Sequence, residues 1–246
     1  MKQNLIYVAI ISMIFSISSV YAQESEESKY ENGQLEYSIQ YDENGDEHGE
    51  WKYYFENGQL EMVETYNHGW PSGLWASYYE NGQLESQGNF NSEGYENGLW
   101  EAYFENGKLN YKGEYVNGMP VKEWIISFDN GSLEASLTFT DKGKPTGEIH
   151  ANYNNEKPKV SGSFDANGLK TDTWKTYYTT GSLKAEIVYV KDKISEVKSA
   201  FNEEGTALVY TKVTEGPLQG QWFDQESDGI DEVDYHAVMY VISFAK

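Results

Sequence analysis

Asn57-Gly58 stands between two runs rich in rings, Trp51-Lys52-Tyr53-Tyr54-Phe55 and Leu60-Glu61-Met62-Val63-Glu64-Thr65-Tyr66. Asn-Gly in that setting is the strongest short-range hairpin signal, because a two-residue type I′ turn needs positive φ at both central positions. With Asn57-Gly58 as the turn, Phe55 faces Leu60, Tyr54 faces Glu61, Trp51 faces Glu64 and Gly49 faces Tyr66. Opposed residues share a face and faces alternate along a strand. Trp51, Tyr53, Phe55, Leu60, Met62 and Tyr66 are therefore expected on one side. The same register puts Trp75 opposite Gly88 and Trp100 opposite Gly113, where an indole can cover the space that a glycine leaves. The other side is expected to carry Tyr54 with Glu61, Tyr78 with Glu85 and Tyr103 with Asn110, a ladder suited to solvent.

These marks recur. Asn32-Gly33-Gln34-Leu35-Glu36 returns at Asn57 and Asn81, with looser copies at Asn106, Asn130, Thr180 and Glu204 and a degenerate copy around Asn154 to Val160. Turn glycines are separated by 25, 24, 25 and 24 residues over the first five copies. Trp51, Trp75, Trp100 and Trp124 keep the beat, Trp174 follows two units later, and Ile149 or His150 fills the gap. Closing aromatics stand at Tyr41, Tyr66, Phe90, Tyr115, Phe139 and Tyr189. The residues that define the repeat are thus Trp51, Gly58, Leu60, Tyr66, Trp75, Gly82, Leu84, Phe90, Trp100, Gly107, Leu109, Tyr115, Trp124, Gly131 and Leu133. Hairpin follows hairpin with no segment of helical period. The expected fold is all-β: an elongated, twisted antiparallel meander of about eight tandem hairpins over residues 30–213. A closed barrel of about 16 strands would enclose more space than these side chains fill, so an open sheet is expected.

Residues 1–22 read as a Sec signal peptide: Lys2, an apolar stretch from Leu5 to Val20, and Val20-Tyr21-Ala22 before the cleavage point. Residues 23–29 form an acidic leader expected to lack order. After Val213 the beat fails. Residues 214–246 are expected to form capping strands with an acidic loop from Asp224 to Asp234. The run Ala237 to Phe244 is apolar on both faces and needs cover.

The net charge is −22, and all 18 basic residues are Lys. Phosphate recognition rests on basic patches and bidentate Arg, so nucleic acid is an unsuitable ligand, as is an anionic membrane surface. A basic protein, a cation or a neutral glycan suits this charge. No stable membrane insertion is expected once the signal peptide is removed. Absence of Cys excludes disulfides and thiolate chemistry. His48, His68, His150 and His236 lie in separate units without metal-ligand spacing. The acidic loop has Asp224, Glu226, Asp228 and Gly229 at calcium-loop positions, but Tyr235 stands where the bidentate Glu belongs. No catalytic motif, cofactor or metal is expected.

The pattern G-x-W-x-x-Y-[YF]-x-N-G-x-L, here Gly73-Leu74-Trp75-Ala76-Ser77-Tyr78-Tyr79-Glu80-Asn81-Gly82-Gln83-Leu84, resembles the MORN-repeat variant. Such arrays occur in bacterial proteins grouped as YwqK-family antitoxins. The resemblance implies scaffolding or protein contacts, and the antitoxin grouping implies neutralisation of a toxin protein. The secretion signal moves any such role to the periplasm, cell surface or exterior. The functional expectation is a secreted, non-enzymatic array that binds a basic protein through Tyr54, Glu61, Tyr78, Glu85 and Tyr103. The alternative is a module that binds a cell-envelope glycan through the same tyrosine ladder.

Overall fold

A computed structural model describes residues 24–209, 211–212 and 222–223. The expected signal peptide, the acidic C-terminal loop and the apolar run after it lie outside the described residues. Sixteen strands form one sheet. They are β1 (Ser25–Lys29), β2 (Leu35–Gln40), β3 (Gly49–Tyr54), β4 (Leu60–Asn67), β5 (Trp70–Pro71), β6 (Gly73–Tyr78), β7 (Leu84–Phe90) and β8 (Gly98–Tyr103). The second half comprises β9 (Leu109–Val116), β10 (Met119–Ser127), β11 (Leu133–Phe139), β12 (Pro145–Asn152), β13 (Pro158–Phe164), β14 (Lys170–Tyr177), β15 (Leu183–Val190) and β16 (Lys193–Ala200). Each strand pairs antiparallel with the next, except that β4 continues to β6 while β5 folds back on β4. The path runs from β1 to β16 without returning, so the sheet is an open meander. A short pair, β17 (Thr211–Lys212) and β18 (Trp222–Phe223), lies apart from it.

Two expectations need correction. Ser25–Lys29, read as an unordered leader, is the first strand, paired with β2 from Ser25↔Gln40 to Lys29↔Leu35. The Asn32-Gly33 turn needs a strand on its N-terminal side, and ladder pairing outweighs the acidic composition. Ser28 Oγ also donates to Glu36, and the Tyr37 hydroxyl to Glu26.

The second correction concerns the turn. Asn57 does not adopt positive φ; only Gly58 does, at 82°. Gly58 N–H donates to Phe55 O, and Phe55 N–H to Gln59 O. This is a three-residue loop, a type I turn followed by a left-handed glycine. It sets Tyr54 against Leu60 and moves the register by one residue. A bulge at Glu61 then moves it back, so Tyr53↔Met62, Trp51↔Glu64 and Gly49↔Tyr66 hold as expected. Leu60 therefore shares a face with Tyr54, not with Trp51. The same offset and recovery occur at Tyr78↔Leu84, Tyr103↔Leu109, Ser127↔Leu133 and Tyr177↔Leu183. True type I′ turns sit at the opposite edge of the sheet, at His68-Gly69 and Asn117-Gly118, where both residues have positive φ.

One transverse row organises the apolar face. Following the pairings from β2 to β15 gives Ile39, Trp51, Glu64, Trp75, Gly88, Trp100, Gly113, Trp124, Leu137, Ile149, Gly162, Trp174 and Ile187. Each indole leans toward the preceding strand. A Cβ on Gly88 would lie 2.0 Å from Trp100, and one on Gly113 would lie 2.0 Å from Trp124. The glycines are thus covered by the next repeat's indole, not by their expected partners Trp75 and Trp100. Each indole N–H donates to a carbonyl of that preceding strand: Trp51 to Gln40, Trp75 to Thr65, Trp100 to Asn89, Trp124 to Glu114 and Trp174 to Ser163. Tyr41, Trp51, Tyr66, Trp75, Phe90, Trp100, Tyr115 and Trp124 form a continuous chain of ring contacts, with centroids 4.9–6.2 Å apart.

Burial along this face is uneven. Trp124, Leu137, Ile149, Trp174 and Ile187 are at most 1% exposed, whereas Trp51, Tyr53, Tyr66 and Trp75 remain half-buried. The described core cluster begins at Trp100 and runs to Ala200.

Candidate functional site

The two edges of the sheet are built differently. At the hairpin-tip edge, Asn57 Oδ1 accepts from Gln59 N–H while its Nδ2 donates to Glu80 O of the next tip at 3.0 Å. Asn32, Asn106 and Asn155 do the same toward Glu56, Asp129 and Thr179. A second staple links the hydroxyls of Tyr30, Tyr79 and Tyr153 to the carbonyls of Tyr54, Tyr103 and Tyr177. Asn serves because its carbonyl closes its own turn and its amide reaches the neighbour. The recurrence of Asn every 24 or 25 residues was visible in the sequence, but it was read there as a demand for positive φ.

This edge holds the expected binding ladder. Tyr54, Tyr78 and Tyr103 are half-buried and pair with Leu60, Leu84 and Leu109, so the ladder beside Glu61, Glu85 and Asn110 does not form as opposed pairs. Glu61 and Glu85 instead are the bulged residues of their hairpins, as Glu36 is in the first. Desolvation raises the Tyr30 hydroxyl pKa, and the charges of Glu36, Glu61 and Glu56 add to it.

At the connection edge, two loops that are distant in sequence meet. Asp42 caps its own turn by accepting from Asn44 and Asp46 N–H at 2.8 and 3.0 Å. Its other oxygen meets His68 Nδ1 from the next connection. Asp42 is only 8% exposed, and the His68 hydrogen bond is the main cause that holds its carboxyl at about 2. His48 stacks obliquely on His68 with ring centroids 4.8 Å apart. Both histidines were read as isolated; sheet order brings them together. Among the described residues no group of three or more His, Asp or Glu is arranged to hold a metal. Further along, Trp70, Tyr95 and Met119 are 65, 50 and 40% exposed, and each lies against the glycine of the following connection, Gly94, Gly118 and Gly143.

The charge is distributed as unevenly as the burial. Residues 30–107 contain sixteen Asp and Glu against a single Lys, Lys52, whereas residues 108–209 contain fourteen against thirteen. Lys52 is engaged by Glu50 at 2.6 Å. In the second half, Lys122–Glu114 and Lys198–Glu186 pairs lie at 2.6 and 3.6 Å, and Lys112 reaches back to Glu101 of the first half at 3.7 Å. The first half is therefore a nearly uncompensated anionic surface with a half-open aromatic face, and the second is a neutral, closed one.

Five segments, 25–45, 47–68, 71–92, 96–117 and 173–191, match the MORN repeat variant family. The chain carries MORN-variant repeats. Residues 118–172 keep the same hairpin architecture outside the matched segments. No curated protein matches the chain. Among solved structures, the Photorhabdus luminescens Tc holotoxin pore, in a TccC3 mutant form, is 12% identical with a TM-score of 0.18, covering 81% of this chain and 14% of that one. The TcdB2-TccC3-Cdc42 structure is 12% identical with a TM-score of 0.16, covering 84% and 14%. The chain thus spans about one seventh of each. Among the described residues no helix is long and apolar enough to cross a membrane.

Proposed function

We propose that this MORN-variant array is an exported, non-enzymatic binding protein whose first half, residues 30–107, receives a basic protein partner. One observation carries the reading: sixteen carboxylates, fourteen of them not buried, against one lysine in a half whose aromatic face is only half covered. Such a field attracts a cationic partner over about a Debye length and raises its association rate. The exposed rings of Trp70 and Tyr95 supply apolar anchors of the kind that carry binding energy. The narrowest form of this reading is inhibition of a basic toxin protein at the periplasm or cell surface.

The test is capture from a cell-envelope extract on immobilised full-length chain at low salt. A basic protein should be retained and should elute on salt increase. A variant with Glu43, Glu61, Glu85 and Glu93 changed to Gln should release it at least tenfold more readily. Retention that is indifferent to both salt and these four changes overturns the proposal.

A further inference from the structure

The transverse row has one discordant member. Between successive tryptophans stand Gly88, Gly113 and Gly162, or an aliphatic residue, and in one place only a charge: Glu64. Trp51 is its partner across β3, and continuing the β4–β6 register by one residue sets Trp75 on its other side. Met62 and Tyr66 are its same-face neighbours along β4. The rings around this position form a collar: the Trp75 indole leans toward β4, Trp51 leans toward β2, and Tyr66 meets both, at centroid distances of 5.5 and 5.2 Å. The one hydrogen bond of the Glu64 carboxylate is from the Tyr66 hydroxyl at 3.2 Å, and it has no ion pair among the described residues. Desolvation raises its pKa, and the Tyr66 bond only partly opposes this. A neutral side chain would fit the fold better, as it does at every equivalent place.

The same sheet shows what such a place accepts. In the unit of Trp174 and Tyr189, equivalent to Trp51 and Tyr66, the chain brings in its own cation. Lys170 Nζ lies 5.6 Å from the Trp174 ring centroid and 5.1 Å from that of Tyr189, with the lysine 7% exposed. There the residue between the rings is Ile187. In the earlier unit the position equivalent to Lys170 is Glu47, and the collar centre is Glu64. One unit thus holds an ammonium on its aromatic face, and the other presents the same rings with a carboxylate and no ammonium.

We propose that Glu64, with Tyr66 and Trp75, is a binding site for an organic cation: an ammonium group on an alkyl stem or bearing methyl groups. A weakly hydrated cation gains from ring faces and from the carboxylate together. A hard metal ion needs six or more oxygen ligands, and an anion is repelled. The cation is either a free methylated amine or a lysine side chain of the basic partner proposed above; only the second source rests on that proposal.

The test uses full-length chain and two probes, tetramethylammonium and N-acetyl-lysine amide. Binding is followed by saturation transfer from aromatic protons to probe protons, at constant ionic strength. Saturable binding of at least one probe is expected. Glu64→Gln should weaken it at least tenfold, while Glu61→Gln, which removes a carboxylate outside the collar, should change it less than twofold. Preference for tetramethylammonium identifies a free amine, and preference for the lysine amide identifies a partner's side chain. Absence of binding by both probes, or equal loss in the two variants, overturns the site. The titration needs no partner, so it stands or fails separately from the capture experiment. Folding of Glu64→Gln is checked by far-UV circular dichroism, and Trp75→Leu provides a second variant expected to lose the probe.

Discussion

Replacing Gly113 by Ala tests the row at its best-packed point. Gly113 has no positive φ to protect, so its role is purely steric. A Cβ there would lie 2.0 Å from Trp124 Cδ2, 2.1 Å from Cε2 and 2.5 Å from Cε3. Carbon atoms rest at about 3.5–4.0 Å, so the indole must retreat by about 1.5 Å or more. It has nowhere to go: Trp124 is 1% exposed, its N–H donates to Glu114 O at 3.3 Å, and its ring meets Tyr115 edge-on at 4.9 Å. Overpacking costs about 1–3 kcal/mol. A weakened indole hydrogen bond adds about 1 kcal/mol, and a disturbed aromatic pair adds about 0.5–1.5 kcal/mol. The stiffer unfolded chain of the alanine variant returns about 0.4–1 kcal/mol. A net loss of about 3 kcal/mol follows from these terms. Gly107→Ala is the control. Its φ is +77° with no atom within 4 Å of the added Cβ, so its cost is conformational alone, about 1–2 kcal/mol. Urea unfolding by far-UV circular dichroism should rank Gly113→Ala below Gly107→Ala. In a Trp124→Leu background the alanine should cost at least 1 kcal/mol less, a coupling expected only for residues in contact. Equal midpoints for the two alanine variants, or a coupling near zero, would refute the stacking of each indole on the preceding repeat's glycine.

Two other outcomes follow from the turns. Glu156 occupies the turn position that glycine holds in the other tips, with φ at 63°; Glu156→Gly should raise the free energy of unfolding by about 0.5–1 kcal/mol, and a lowered urea midpoint would contradict the turn assignment. Asp42 has its carboxyl held at about 2 against an ordinary 3.8, chiefly by His68. The folded state binds that proton less readily than the unfolded one, so the stabilisation is complete above the unfolded value and fades as pH falls from about 4 to about 2. The gap in midpoint between wild type and Asp42→Asn should therefore narrow over that window, and a gap that widens on acidification would reverse the sign.

Much of the sheet was legible because two departures from the simplest hairpin cancel. A three-residue loop shifts the pairing by one, a bulge at the residue after the leucine shifts it back, and the strand body keeps the register that a two-residue turn would give. Trp51 against Glu64 and Trp100 against Gly113 were thus read correctly from a turn of the wrong type. The cancellation fails only within the displaced segment, and that is where Leu60, Glu61 and Tyr54 were misplaced. The lean of the indole was not legible either, since pairing places a tryptophan equally against the strands on both sides. Contact between His48 and His68 depends on which connections adjoin, a property of sheet order. The charge contrast between the halves was open to counting throughout, but its meaning required knowing which half closes its aromatic face.

That contrast has an energetic consequence. In an array where each strand touches only its neighbours, stability is close to a sum of local terms, so one region can carry structure while another departs from the best packing. From Trp100 onward the apolar row is closed, and lysines balance the acids. Before it, Glu64 sits where a glycine or aliphatic residue would pack better, and sixteen carboxylates repel one another with one lysine among them. Each of these features is unfavourable for the free chain and becomes favourable when a cation arrives. A ligand that binds only the folded array stabilises it by mass action, and here the gain should fall on the first half. Protection of β3, β4 and β6 amides from hydrogen exchange should rise on partner binding, while β10 to β15, already closed, should change little. Uniform protection across the sheet would mean that recognition is not confined to the acidic half.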